Sequence, residues 1–151
     1  MNEIRNDKDM RSALEGLDIP AQRVVAARFI QNVLPLTDDE RVTRAVETAS
    51  RGDASEDELK AAHRAANAAA LDAHARCGAD SKWEGQSPYF VARAAEAATG
   101  PHVFTAGKSL AWAVAMQCRM ASCCLSSADE ADNPDNTCNT QRRILTDYLN
   151  S

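Results

Sequence analysis

Apolar residues recur along this chain at intervals of three and four, the spacing that lays one face of a helix against a core. Segment boundaries carry their own chemistry. A short helix is expected around Lys8 to Leu17, and Ile19-Pro20 opens a second from Ala21 to Leu34, where proline near the first position sacrifices no needed N–H and Pro35 closes the run. Thr37-Asp38-Asp39-Glu40 has the spacing of a capping box, followed by Val42, Ala45, Val46 and Ala49, with Gly52 placed for a left-handed C-cap. Ser55-Glu56-Asp57-Glu58 repeats the signature ahead of a long helix whose stripe is Leu59, Ala62, Ala66, Ala70, Ala73 and Cys77, with Gly78 as its expected stop.

Beyond a loop from Gly78 to Gln86, Ser87-Pro88 starts another helix through Phe90, Val91, Ala94, Ala95 and Ala98 to Gly100. The most apolar segment runs from His102 to Leu125. Trp112, Ala113, Met116, Met120 and Cys123 project to one side of it and Leu110, Val114, Cys118 and Ala121 to the other. A helix apolar on nearly all sides belongs in the middle of a bundle. After an acidic, turn-rich stretch from Ser126 to Asn136, a last amphipathic helix from Thr137 to Leu149 sets Ile144, Leu145, Tyr148 and Leu149 at core spacing. No useful strand-period alternation appears, so the expected architecture is a single all-α bundle of six or seven helices.

Composition sharpens that picture. The 151 residues fit one domain, and hydrophobic residues make up 44% of them while aromatics supply only 5%. Much of the core is therefore alanine. Methyl side chains bury little area each, so stability must come from close approach of backbones and from helix propensity. Lys and Arg number 17 against 22 Asp and Glu, a net charge of -5 that disfavours nucleic acid and anionic lipid and suits a basic partner. Neither a signal-peptide core nor a membrane-length apolar run is present, and five cysteines point to reduced thiols in the cytoplasm.

Candidate chemistry is sparse. His63 and His74 project to nearly the same side of the long helix, but eleven residues separate them by roughly 16 Å, too far for one metal ion. The Glu-x-x-His pattern of di-iron bundles is absent, since Lys60 and Leu71 stand three residues before them. Each reads as an amphipathic boundary residue. Cys118, Cys123 and Cys124 point in separate directions and read as small core hydrophobes, with a Cys123 or Cys124 bridge to Cys138 left open. Gly107-Lys108-Ser109 mimics the end of a phosphate loop, but His102 occupies the earlier required glycine. Trp112, Met116 and Met120 fit core packing better than a ligand cavity. Acids at Asp38 to Glu40 and Asp53 to Glu58 serve helix starts. Asp129, Glu130, Asp132 and Asp135 lie in the long loop and are the candidate partner-binding residues.

The order of segments resembles the helical immunity proteins of bacterial polymorphic toxin systems, the Imm-five-like group. The likeness rests on Phe29-Ile30-Gln31-Asn32-Val33-Leu34-Pro35-Leu36, on Arg41 through Arg51-Gly52 to Leu59, and on the alanine-rich stretch Ala61 to Ala75. It continues through Val91 to Ala98, Ala106 to Ala115, and Gln141-Arg142-Arg143-Ile144-Leu145 into Tyr148-Leu149, spanning about residues 21–149. Lys82 to Gln86 and Asp129 to Asn136 depart from that pattern as insertions. The resemblance implies a cytoplasmic, non-enzymatic protein that binds and neutralises a toxin domain, with no cofactor or metal and no catalytic residues. Two other classes stay open: a small-molecule or metal-binding bundle using His63, His74 or His102 with carboxylates, and a module self-associating through alanine faces.

Overall fold

The computed structural model describes residues 4–80, 86–101, 109–126 and 134–151, without the side chains of 77–80, 124–126 and 134–136. Seven α-helices and no strand are found among the described residues. They are α1 (Asp7–Glu15), α2 (Ile19–Val33), α3 (Glu40–Ser50), α4 (Glu56–Asp80), α5 (Ser87–Thr99), α6 (Leu110–Ser126) and α7 (Pro134–Leu149), with a 3-10 turn at Leu34–Leu36. The expected all-α bundle is the observed one.

Local sequence sets most of the boundaries. Asn6 and Asp18 cap α1 and α2 by accepting the N–H of Asp9 and Ala21, each at 2.9 Å. At α4 the capping box forms as read: Ser55 Oγ accepts the Glu58 N–H at 3.1 Å, and Glu58 accepts the Ser55 N–H at 3.4 Å. Gly52 has φ 73, the left-handed backbone that ends α3 and turns the chain.

Several starts and stops differ from the sequence reading. The cap of α3 is Asp39, which accepts the Arg41 N–H at 2.9 Å, while Thr37 supports it by accepting the Asp39 N–H at 3.3 Å. The shorter Asp39 loop reaches the first turn directly, so the Thr37 box does not form. Gly78 lies inside α4, where a single glycine costs about 1 kcal/mol and does not break a helix already nucleated. Ser87 is no cap either, because α5 begins with it and its buried hydroxyl donates to the Ala121 carbonyl of α6 at 2.9 Å. α7 starts three residues earlier than expected, with Pro134 in its first position.

The core is built mainly from small side chains. α5 packs against α4 on one flank and α6 on the other, and α2 closes the layer behind them. Ala66, Ala69, Ala70, Ala92, Ala94, Ala95, Ala98, Ala111 and Ala115 are buried, while Phe29, Met10, Leu14, Ile30, Leu110 and Leu145 fill the wider gaps. Such methyl-lined contacts let helix axes approach closely. The two-faced burial expected of α6 is only half realised. Leu110, Val114, Cys118 and Ala121 are buried, Trp112 and Met116 are half-buried against the core, and Met120 is 41% exposed.

Buried polar groups fix how the helices meet. Gln22 on α2 accepts the Ser109 hydroxyl at 2.6 Å and the Ala111 N–H at 3.2 Å, and donates to the Leu17 carbonyl at 3.0 Å. Ser109 in turn accepts the Trp112 N–H at 3.2 Å, which makes it the cap of α6 rather than part of a phosphate loop. Thr137 donates to Ser122 at 2.8 Å, and Gln141 donates to the Ala115 carbonyl at 3.0 Å. Each bond has one geometry, so together they select a single helix register.

Candidate functional site

A cavity of about 340 Å³ opens where α2, α4 and α5 converge. Its α4 wall is made by Glu56, Leu59, Lys60 and His63, the i, i+3, i+4, i+7 positions of one helical face, with Arg64 beside them. Arg23 enters from α2, while Thr99 and Pro101 close it at the end of α5. Three cations therefore face one carboxylate among its described lining residues, a positive site on a molecule whose net charge is -5.

Arg23 is anchored as well as charged. Its Nη1 donates to the carbonyl oxygens of Ala98 and Gly100 at 2.8 and 2.9 Å, tying α2 to the last turn of α5. A guanidinium at a helix C-terminus also suits the dipole there. Burial pushes the Arg23 pKa below the usual guanidinium value, yet such a group stays charged at neutral pH. No carboxylate pairs with it among the described residues. Its Nε and Nη2 have no hydrogen-bond partner among the described residues.

His63 is held just as firmly. Its Nδ1 lies 2.8 Å from the Glu96 carbonyl oxygen, which can only accept, so Nδ1 carries a proton and Nε2 is the atom available to the cavity. Gly100 makes room for this ring: a Cβ there would sit 3.0 Å from both Nδ1 and Cε1 of His63 and 3.1 Å from the Glu96 carbonyl oxygen. The Glu96 carboxylate turns away, accepting from Asn67 at 3.1 Å and from Arg93 at 3.2 Å. Thr99 spends its hydroxyl on the Ala95 carbonyl at 2.8 Å. Lys60 lies 3.5 Å from Glu56, an exposed i, i+4 pair that holds neither side chain strongly.

The histidines do not converge. His74 is exposed, its ring centroid 5.4 Å from that of Tyr89, and His102 lies outside the described residues. Among the described residues, no group of three or more His, Cys, Asp or Glu side chains could hold a metal ion. Cys118 is buried, which pushes its thiol pKa up, whereas Cys123 and Cys138 are half-buried thiols not joined in a disulfide. Asp129, Glu130 and Asp132 lie outside the described residues, and of Asp135 only its place in α7 is described.

A second polar cluster was not foreseen from the sequence. Arg119 of α6 donates through Nη1 and Nη2 to the two Asp7 oxygens at 2.9 and 3.0 Å and through Nε to Gln141 at 2.8 Å. Arg142 adds a bond to Asp7 at 3.1 Å, and the Arg119 guanidinium stacks 5.5 Å from the Trp112 ring centroid. The hydrogen bond from Arg119, ahead of the burial that opposes it, holds the Asp7 carboxyl below its ordinary pKa. Arg119 Nε, Nη1 and Nη2 each donate to an acceptor of the protein itself, whereas the buried Arg142 Nε has no partner among the described residues, so the cluster staples α1, α6 and α7 chiefly through Arg119.

No protein-family profile, curated protein or solved structure matches the chain. Among the described residues no helix is long and apolar enough to cross a membrane.

Proposed function

We propose that the chain is a non-enzymatic, immunity-type protein that binds and neutralises a basic bacterial toxin domain in the cytoplasm of the cell that makes it. The observation that carries this reading is an acidic surplus, net charge -5, displayed on a framework whose helices are locked by buried polar bonds. Exposed Glu40, Glu47, Asp53, Glu56 and Asp57 stand at the ends of α3 and α4. A rigid, negatively charged scaffold steers a basic partner and loses little entropy on docking. The likeness of residues 21–149 to helical immunity proteins supports the same reading.

Co-expression with a toxin encoded beside the gene tests it directly. The reading expects protection of the host and a stable complex; neither protection nor binding sinks it. If Asp129, Glu130, Asp132 and Asp135 contact the toxin, their joint change to alanine slows association and flattens its salt dependence. A second reading, a small-molecule-binding bundle, is favoured by one observation, the cationic cavity between α2, α4 and α5.

A further inference from the structure

We infer that this cavity binds a small organic anion, a carboxylate or phosphate carried on an apolar body, with Arg23 as the primary anchor; the inference rests on the small-molecule reading. Three observations converge on that chemistry. The first is uncompensated charge: Arg23, Lys60 and Arg64 face a single carboxylate, and that one belongs to an exposed pair with Lys60. A partly buried guanidinium with no counter-charge among the described residues is costly to leave bare, and an incoming oxyanion supplies a partner.

The second is geometry. Both Nη1 protons of Arg23 are committed to the Ala98 and Gly100 carbonyls, which fixes the plane of the fork. The edge that remains, Nε–H with Nη2–H, is the side-on pair that matches two oxygens of a carboxylate or phosphate. If Arg23 served only to close the end of α5, Nη1 would suffice, and nothing in that role calls for Lys60, His63 and Arg64 on the opposite wall. His63, its ring fixed by the Nδ1–H bond to the Glu96 carbonyl, forms a rigid part of the facing wall.

The third is size and lining. A volume of about 340 Å³ is far larger than a bare oxyanion fills and falls at the lower end of small-ligand sites, roughly 300–1,000 Å³. Leu59, Pro101 and the aliphatic stems of Lys60 and Arg64 supply apolar walls for the rest of the molecule. The ligand is thus an amphiphile with one charged end.

Titration of the ¹⁵N-labelled full chain with phenyl phosphate, benzoate, benzyl alcohol and inorganic phosphate tests this, followed by NMR. The expected result is saturable binding of phenyl phosphate or benzoate, with shifts concentrated at the Arg23 Nε–H and the amides of residues 59–64. Benzyl alcohol and inorganic phosphate should bind at least about tenfold more weakly. Whichever aromatic anion binds more tightly assigns the head group. Arg23→Lys keeps the charge but loses the fork and should weaken binding about tenfold. Lys60→Gln and Arg64→Gln alter exposed side chains, so they fold whatever becomes of the Arg23 variant, and each should weaken binding several-fold. Equal binding of benzyl alcohol in the cavity would overturn the anion inference while the small-molecule reading survives. Shifts scattered over other arginines, unchanged affinity in both glutamine variants, or capture of an acidic heptapeptide in place of the aromatic anions would overturn it too. Silence of every cavity resonance with all four probes would sink both.

Discussion

Replacing Arg119 by methionine removes a guanidinium that serves three helices at once while leaving most of its aliphatic volume. The side chain is 14% exposed and donates to Asp7 on α1 and Gln141 on α7. Gln141 is fully buried, so its Oε1 loses its only described donor with no solvent to replace it, a penalty of about 1–3 kcal/mol. Asp7 is different. It is 47% exposed and keeps Arg142, so its lost ion pair adds only about 0–1 kcal/mol. The variant should therefore lose about 1–4 kcal/mol, which for a chain of this size lowers Tm by roughly 2–16 °C. Asp7→Asn, which leaves the Gln141 bond intact, should cost about 0–1 kcal/mol. Urea and thermal unfolding followed by far-UV circular dichroism measure both. A cost below about 0.5 kcal/mol for Arg119→Met, or equal costs for the two variants, would show that the buried amide is not what Arg119 protects.

The same pair carries a pH signature. Arg119 holds the folded-state pKa of Asp7 below its ordinary value, so the stability it contributes is fully present above the ordinary carboxylate range. It is lost as pH falls through the lowered folded value. Wild type and Asp7→Asn should converge in stability at acidic pH and differ most at neutral pH; a gap that widens on acidification would reverse the assignment.

Three further outcomes follow from particular contacts. Ala95→Leu adds bulk at a fully buried position of α5, the helix between α4 and α6, and should cost about 1–3 kcal/mol in urea titration. Gly52→Ala places a Cβ on backbone at φ 73 and 3.3 Å from Val24 Cγ2, so it should destabilise by about 1 kcal/mol or more, and an unchanged unfolding midpoint would contradict this. Cys118 should resist iodoacetamide in the native protein while Cys123 and Cys138 react faster, as peptide mapping by mass spectrometry would read; equal labelling would mean that α6 opens readily.

The helical class, the bundle and most helix boundaries were legible in the chain because they depend on neighbours in sequence. The Ser55–Glu58 box and the left-handed Gly52 are decided within a few residues, and both formed as the pattern predicts. Thr37 and Ser87 misled because several polar residues compete near a helix start, and the winner depends on what packs nearby. Met120 misled in another way: periodicity marks a face as apolar but does not say whether another helix covers it.

The cavity was beyond the reach of sequence, although half of its wall was visible as Glu56, Leu59, Lys60 and His63 at one-face spacing. What the pattern lacked was Arg23, brought beside His63 by the packing of α2 against α5, and Gly100, whose missing side chain lets the imidazole reach the Glu96 carbonyl. Asp7, Arg119 and Gln141 meet across more than a hundred residues of chain for the same reason. Local spacing determined where helices run and which stripe each buries, because those are short-range steric and hydrogen-bonding choices. Only the tertiary structure decided which charges share a cleft, because that depends on how alanine-lined faces settle against one another.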